Sequence, residues 1–344
     1  MLADGGRSGV VCAGAWCVDY NMIVNHWPPE ETVARVLSQS RQGGCSSHNM
    51  ATALRRLGAR FPVDAIGLVG DDDDGRLLAE SCDELGIDRR QLVLRHGQST
   101  AVTYAMISKL TGKRTFFYRA GTHAIQTPDD FDFSRTTARF AHIGMPGVHD
   151  ILDAPWKGEV SGWVPILKAA RAQGLKTNVE LVSIAPERIR ALVEPLLPHL
   201  DMLIVNDLEA GAVAGIETVR DGATDVPACR SAAARLLENS SLWLVAIHFP
   251  GGGIVRTRDG RAIEHPSVNV PQSAVISSNG AGDSFAAGLL YGIHEDWSLD
   301  RSIRLAHASA AASLRSAETT GAVVAWQECL RLADGWGWRT LPAG

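Results

Sequence analysis

The chain of 344 residues carries a formal net charge of −5, with 45% hydrophobic and 21% charged residues. This composition is typical of a globular protein with one large α/β domain or two smaller ones, and it argues against a nucleic-acid partner. The sequence has neither a membrane-length apolar stretch nor a signal-peptide pattern, so it predicts a cytoplasmic protein without a membrane partner.

The first part of the chain alternates strand-like and helix-like segments, and both helix-like segments end at a glycine. The predicted strands are 10–15, 63–69, 100–108 and 114–118, and the predicted helices are 49–57 and 74–85. The last two strands are joined by residues 110–113, whose composition favours a hairpin turn. This hairpin interrupts the alternation and predicts a smaller β layer.

From about residue 138 the pattern becomes strand, then helix, repeated. The predicted strands are 140–143, 176–181, 202–205 and 242–247, and the predicted helices lie near 162–173, 186–197 and 226–238. Repeated strand–helix units imply a mostly parallel sheet covered by helices. In the C-terminal tail, Trp336 and Trp338 are interpreted as packing residues.

The most informative segment is 278–285, which reads Ser-Asn-Gly-Ala-Gly-Asp-Ser-Phe and leads into an apolar helical run. Small residues at a helix start let backbone N–H groups converge on an anion, which the helix dipole also favours. Asp283 beside such a site could accept a proton from an attacking hydroxyl. The segment therefore predicts phosphoryl transfer, with a glycine-rich helix cap as the plain structural alternative.

Residues 43–49 form a second segment of small residues before a helix, ending in an asparagine. Glycines allow a polyol to approach the backbone closely, and the amide of Asn49 can both donate to and accept from hydroxyls. The alternative is an ordinary helix start in which Ser47 or Asn49 is the cap. Asp19 follows the first predicted strand, where α/β sheets commonly bind ligands, although a surface-turn aspartate is the alternative.

Asn206 and Glu209 begin the helix that follows strand 202–205. A carboxamide and a carboxylate are hard oxygen ligands of the kind that magnesium prefers. The same residues also match a helix capping box, and both interpretations can hold together. Glu180, at the end of another strand, is a weaker candidate for the same crevice.

Together these segments resemble the signatures of the ribokinase-like (PfkB) family of sugar and nucleoside kinases, across residues 9 to 325. The resemblance implies a three-layer α/β/α domain (9–16, 43–97 and 121–325) with a mostly parallel central sheet. It also implies a small β-sheet lid (17–42 and 98–120) that forms a homodimer contact. Residues 326–344 are left as a C-terminal tail.

The resemblance also implies roles for individual residues. The catalytic residues are Gly280, Ala281, Gly282 and Asp283; the sugar contacts are Asp19, Gly43, Gly44 and Asn49; the nucleotide contacts are Asn206, Glu209, His248, Gly251, Gly253, Asn279 and His307. Asn206 and Glu209 would hold Mg²⁺ through water.

The chain departs from the family pattern at two places. Ser277 stands where many members have an aspartate that helps to bind a monovalent cation, so K⁺ activation is left open. His248 and Pro250 replace residues that line the nucleotide in the family. Because proline has no N–H, nucleotide contacts there must be made differently.

The sequence thus predicts an ATP- and Mg²⁺-dependent kinase that phosphorylates a hydroxyl of a small sugar. A nucleoside kinase would place an aromatic over the base, and a phospho-sugar kinase would place Arg114 or Arg119 in the acceptor pocket. The aromatic candidates are Trp16, Trp27, Tyr104 and Phe117. A non-catalytic sugar or nucleotide sensor on the same fold is a further alternative, which the intact Asp283 opposes.

Overall fold

The computed structural model describes residues 6–111 and 113–341; Gly112 of the predicted hairpin turn and the last three residues of the tail lie outside the described residues. The strands are β1 Val10–Gly14, β2 Cys17–Val24, β3 Val36–Gly44, β4 Val63–Gly70, β5 Asp88–Arg95, β6 Ala101–Ser108, β7 Arg114–Arg119, β8 Phe140–Gly144, β9 Lys176–Val179, β10 Met202–Asn206, β11 Val219–Arg220, β12 Ala223–Thr224, β13 Leu244–Phe249, β14 Gly252–Thr257 and β15 Ala262–Pro266.

The helices are α1 Cys45–Arg56, α2 Asp73–Glu84, α3 Trp163–Ala172, α4 Pro186–Val193, α5 Asp207–Ala214, α6 Val226–Glu238, α7 Ala281–His294, α8 Leu299–Ser313 and α9 Trp326–Trp336. Short 3₁₀ segments lie at Gly121–Ala124, Pro128–Asp130, Phe133–Arg135, Glu194–His199 and Gln272–Ala274. Within the described ranges, no helix has the length and apolarity needed to cross a bilayer.

The central sheet has nine strands in the order β15-β14-β13-β10-β9-β8-β1-β4-β5. The strands from β13 to β5 run parallel, whereas β14 and β15 are antiparallel at one edge. Both faces are buried, as parallel sheets require. Val10 and Cys12 face one apolar cluster with α1, α7 and α8, while Val11 and Ala13 face the other with α3 to α6. The predicted three-layer α/β/α fold is confirmed.

A second sheet has four strands in the order β3-β2-β6-β7, with β2 and β6 parallel and the outer pairs antiparallel. It contains the predicted hairpin and confirms the expected small β layer. The family resemblance assigned residues 17–42 to this sheet, but the sequence pattern did not identify the individual strands β2 and β3, because their polar and apolar residues alternate over short, irregular stretches that resemble a loop.

The two largest errors in the predicted boundaries are in helices. The first helix begins at Cys45, which has a left-handed φ of 64°, rather than at residue 49, so the segment before Asn49 already forms its first turn. The helix predicted near 186–197 ends at Val193 and continues as a 3₁₀ segment. Pro195 and Pro198 explain this change, since proline lacks the N–H that an α-helix uses and disfavours helical geometry in the residue before it.

Candidate active site

The glycine-rich segment forms the beginning of α7. Gly280 is the N-cap residue and has a left-handed φ of 75°. A Cβ placed there would lie 2.2 Å from the backbone oxygen of Thr319, so both the conformation and the space require glycine. The first-turn N–H groups of a helix have no intrahelical acceptors, and together with the helix dipole they form an anion site. The predicted position of this segment at a helix start is therefore observed.

Asp283 lies in the first turn of α7 and is held by a side chain from α1. Asn49 Nδ2 donates to Asp283 Oδ2 at 3.0 Å, and Thr319 Oγ1 donates to Asn49 Oδ1 at 2.8 Å. The second bond fixes the amide with its nitrogen towards the carboxylate. Burial, opposed by the Asn49 hydrogen bond and assisted by the charge of Asp19, raises the pKa of Asp283 to about 7. A carboxyl group with such a pKa can accept a proton near neutral pH.

The start of α1 meets Asp19 at the same place. A Cβ on Gly44 would lie 2.3 Å from Asp19 Cγ, whereas a Cβ on Gly43 would meet the His48 ring. Gly44 is thus the glycine that faces Asp19. The α1 N-cap is Gly44, with no side-chain cap bond, so the cap interpretation of Asn49 was wrong. The Asn49 side chain instead joins α1 to α7.

Asp19 lies in β2, and the residues that share its face follow from strand register. Cross-strand partners and residues two apart lie on one face. This surface, here called the inner face, contains Asp19, Asn21, Gln42, Thr103, Arg114, Phe116 and Tyr118. Burial raises the pKa of Asp19 to about 6. Within the described structure, Asn21 Nδ2 and both amide atoms of Gln42 are buried without a hydrogen-bond partner.

Unpartnered buried amides are rare in native proteins and often indicate a ligand or water that completes them. Sequence reasoning missed Asn21 and Gln42. Asn21 could have been found from its spacing, because it is two residues beyond Asp19 on a strand and therefore lies on the same face. The pairing of Gln42 with Asp19 depends on the register of β2 with β3, which local patterns do not reveal.

The aromatic residues considered for base stacking have other partners. Trp16 is fully buried, and its Nε1 donates to Ile66 O. Tyr104 stacks on Tyr20, and Trp27 stacks on Phe117 with a centroid distance of 6.2 Å. None of these four rings is part of the inner face.

Phe116, which was not among the predicted aromatics, is on the inner face and is 52% exposed. Arg114 lies on the same face, and its Nη2 donates to Ser278 Oγ at 3.1 Å, just before the start of α7. Its Nη1 is buried and has no partner among the described residues. Arg119 instead donates to Thr100 O.

Asn206 and Glu209 form the predicted capping box at the start of α5. Glu209 N donates to Asn206 Oδ1 at 2.8 Å, and Asn206 N donates to Glu209 Oε2 at 3.1 Å. Burial raises the pKa of Glu209 to about 7. Burial and the charges of Asp283 and Glu209 also raise the pKa of Glu180. Its buried Oε2 accepts no hydrogen bond in the described chain and lies 3.7 Å from His142 Nε2. The carboxyl groups of Glu180, Glu209 and Asp283 therefore lie close enough to interact, and they are here called the acidic corner.

A mainly apolar cavity of about 360 Å³ opens beside this corner and reaches the start of α7. Its walls include Val268, Val270, Val275, Phe285, Ala310, Ala311, Leu314, Ser278, Ala281 and Gly282. His248 and His307 also line it, as predicted, and burial lowers the pKa of His248 to about 4 and that of His307 to about 3. Both rings are therefore neutral at pH 7.

The remaining predicted nucleotide residues flank this cavity. Gly253 lies in β14, where a Cβ would approach His307 Nε2 to 3.1 Å, and Gly251 lies in the preceding turn. Asn279 is in the loop before Gly280, and its N–H donates to Ser277 Oγ at 3.0 Å. Shape and apolar contact dominate this cavity, which suits a flat heterocycle better than a polyol.

Comparisons with known proteins show the family and the fold. The family model described as "pfkB family carbohydrate kinase" matches residues 7–326. An ATP-dependent ribose-1-phosphate kinase of Halopiger xanaduensis is 27% identical over 92% of this chain and 97% of its own length. A bifunctional ribokinase/ribose-5-phosphate isomerase A of Fructilactobacillus sanfranciscensis is 26% identical over 89% of this chain, which spans 52% of that protein.

The structure of Arabidopsis thaliana ribokinase complexed with ribose and ATP has the same fold, with a TM-score of 0.75, 18% identity and coverage of 95% of this chain and 98% of that one. The fold and the family match define a kinase of the sugar and nucleoside class. The chain belongs to the pfkB family of carbohydrate kinases.

Proposed function

We propose that this protein transfers the γ-phosphate of ATP to a hydroxyl of a small sugar, with Asp283 as the general base. The observation that carries the proposal is the hydrogen bond from Asn49 to Asp283. It joins α1, whose N-cap residue Gly44 faces Asp19 of the inner face, to residues 278–282 at the start of α7, here called the anion loop. A base must lie within hydrogen-bond reach of the hydroxyl that it deprotonates, and Asp283 lies where the inner face approaches the start of α7.

Each part of the site has one task in this reaction. Asp19, Gly44 and Asn49 hold the hydroxyls of the acceptor, and Asp283 takes the proton from the attacking oxygen. The N–H groups of Gly280 to Gly282 stabilise the charge on the transferring phosphate. The four-stranded sheet acts as a lid that closes over the acceptor and excludes water, so that ATP is not hydrolysed.

The acidic corner fits a magnesium ion that arrives with the nucleotide. No group of three or more His, Cys, Asp or Glu side chains in the described ranges is arranged to hold a metal directly. Glu180 Oε2, which accepts no hydrogen bond in the described chain, and the raised pKa of Glu209 nevertheless indicate carboxyl groups that an incoming cation would stabilise as carboxylates. Bound Mg²⁺ would neutralise phosphate charge. Asn206 and Glu209 would orient its water ligands.

The inner face favours an acceptor rich in hydroxyls. Asn21 and Gln42 present amide donors and an acceptor that remain unsatisfied in the described structure, and sugar hydroxyls satisfy both kinds of group. A nucleoside remains the alternative through Phe116, whose half-exposed ring could stack on a base.

The test is ADP formation from Mg-ATP with a panel of free sugars, sugar phosphates and nucleosides, with the product identified by phosphorus NMR. Turnover that requires a free sugar supports the proposal. Turnover with nucleosides alone would support a nucleoside kinase instead. Nucleotide-dependent stabilisation without any turnover would support a non-catalytic sensor.

A phosphorylated acceptor is a second candidate because of Arg114. Burial lowers the pKa of Arg114, its Nη1 lacks a partner in the described chain, and Ser278 is its contact in the anion loop. A guanidinium in this position suits a phosphate group. If the acceptor is a sugar phosphate, Arg114→Ala will raise its KM about 30-fold while leaving the ATP KM within twofold; for a free-sugar kinase the acceptor KM will stay unchanged.

The lid also suggests how two copies associate. Trp27, Leu37 and Phe117 are 47%, 44% and 51% exposed on the four-stranded sheet, which is unusual for residues of this size. We propose that a second copy of this chain covers them. Light scattering after size exclusion should give a dimer for the wild type and a monomer for Trp27→Asp/Phe117→Asp; a monomeric wild type would contradict the proposal.

A further inference from the structure

The apolar cavity is poorly equipped to bind phosphate on its β13–β14 side. His248 and His307 are neutral at pH 7 because burial lowers the pKa of each. Pro250, at the turn after β13, offers no N–H. Asp207 adds a buried carboxylate, which accepts from Thr224 Oγ1 and Leu208 N. A nucleotide with two or three phosphates therefore meets little positive charge on this wall.

The C-terminal tail supplies the missing charge. The family model ends at residue 326, but the chain continues through α9 and returns to the cavity. Arg339 lines the cavity and, among its described lining residues, is the only lysine or arginine. A residue outside the matched family region thus forms part of the wall that lacks a donor at Pro250.

The returning segment is held in place by backbone hydrogen bonds. Asn269 N donates to Gly337 O at 2.8 Å, and Arg339 N donates to Ser267 O at 2.9 Å. Trp338 pairs with Val268 as an isolated bridge and packs edge-on against His265, with a centroid distance of 4.6 Å. These contacts confirm that Trp338 is a packing residue, and they fix the backbone from which Arg339 projects.

The same segment brings Arg339 close to Pro250. Ser267 connects the two, because its backbone oxygen accepts from Arg339 N while its Oγ donates to Pro250 O at 2.7 Å. The Arg339 side chain makes one hydrogen bond within the described residues, from Nε to Val268 O at 3.4 Å. Arg331, on the same tail, is instead paired with Glu328.

We propose that the tail is part of the nucleotide site and that the Arg339 guanidinium binds a phosphate of the nucleotide, replacing the backbone donor that Pro250 removes. This inference rests on the proposed function, since it requires that the cavity takes ATP. Arg339 is a binding residue in this account and takes no part in proton transfer. Its planar donors suit phosphate oxygens.

The test is calorimetric titration of Arg339→Ala, Arg339→Lys and the matched control Arg331→Ala with ATP, ADP and adenosine at 50 mM and 200 mM salt. We expect Arg339→Ala to weaken ATP and ADP binding about tenfold at low salt and less at high salt. Adenosine binding should change less than twofold, Arg339→Lys should lie between alanine and wild type, and Arg331→Ala should match the wild type.

The outcomes separate this inference from the proposed function. Wild-type protein that binds ATP, with Arg339→Ala binding it equally well, would overturn the role of Arg339 and leave the kinase proposal standing. Equal loss of adenosine and ATP binding would overturn the phosphate contact in favour of a shape effect. Wild-type protein that binds neither ATP nor ADP would overturn both. A melting temperature equal to that of the wild type verifies that Arg339→Ala is folded.

Discussion

The two sides of Asp283 differ in how their walls are built. On one side, the inner face presents Asp19, Asn21 and Gln42, and the amide atoms Asn21 Nδ2, Gln42 Nε2 and Gln42 Oε1 are buried without a hydrogen-bond partner among the described residues. On the other side, the cavity is lined by valine, alanine and leucine, with two neutral imidazoles. Polar groups left without partners discriminate strongly between ligands, whereas an apolar cavity discriminates mainly by shape.

This difference explains why the two sides tolerate sequence change differently. The inner face depends on individual side chains, so one substitution should alter which acceptor is used. The cavity depends on shape and backbone, so His248 and Pro250 can replace the family residues there without closing it. Variants on the inner face should therefore change acceptor kinetics, and variants around the cavity should change nucleotide affinity.

Apart from replacement of Asp283 itself, the largest effect is expected where the two sides meet, at Gly280. In Gly280→Ala, a Cβ would collide with the Thr319 backbone oxygen and the φ of 75° would be strained, so the anion loop must shift. We expect kcat to fall about 300-fold, as for loss of a preorganised charge stabiliser. Steady-state kinetics will measure it.

The matched control is Gly86→Ala, because Gly86 has a φ of 64° with nothing within 4 Å of a new Cβ. It should lose a similar amount of stability from backbone strain and keep full activity. If both variants lose activity equally, strain alone explains the result and the anion loop has no special role.

Asp19→Asn should affect the acceptor half of the reaction and leave nucleotide affinity unchanged. The substitution keeps the shape and removes a charge-assisted hydrogen bond to a hydroxyl, so kcat/KM for the acceptor should fall about 50-fold with the ATP KM unchanged. Asp64→Asn is the control, because Asp64 lies near the beginning of β4 in the central sheet and accepts a hydrogen bond from Thr136 instead. A matching loss of ATP affinity would contradict the division between the two sides.

The pH profile follows from the raised pKa of Asp283, at about 7. The base form increases with pH, so kcat/KM should rise about tenfold per unit below pH 7 and level off above it. Stability has the opposite sign, because a carboxyl with a raised folded-state pKa is most favourable to folding below its unfolded pKa. That contribution is lost as pH rises through 7.

Asp283→Asn should therefore melt a few degrees above the wild type at pH 8 and close to it at pH 4. Differential scanning calorimetry at the two pH values will measure this. A variant that melts lower than the wild type at pH 8 would show that the ionised carboxylate is stabilising and that its pKa is not raised.

The smallest effect is expected from Pro250→Gly, which restores one backbone N–H to the cavity wall. ATP affinity should improve about threefold, the value of one modest hydrogen bond, and the gain should be larger in an Arg339→Ala background. Pro29→Gly, in the loop after β2, should leave ATP affinity unchanged. Weaker ATP binding in Pro250→Gly would mean that the rigid turn, rather than an absent donor, matters there.

Much of the fold and of the candidate site could be predicted from the sequence, because the residues that indicate them are close together in the chain. The start of α7 and the capping box at Asn206 are local patterns with a single geometric solution. The inner face is different, since Gln42 reaches Asp19 only through the register of β2 with β3. The Arg339 contact depends on the tail returning to residues 267–269, which no local pattern contains.

The most direct measurement of the central claim is single-turnover phosphoryl transfer by wild type and Asp283→Asn, using the best acceptor from the panel and saturating Mg-ATP. The asparagine side chain would keep the size of the aspartate but could not take the proton. We expect a fall in the transfer rate of at least about 1,000-fold, with ATP and acceptor affinities within a few-fold of the wild type. A rate within tenfold of the wild type would contradict the role of Asp283 as the base.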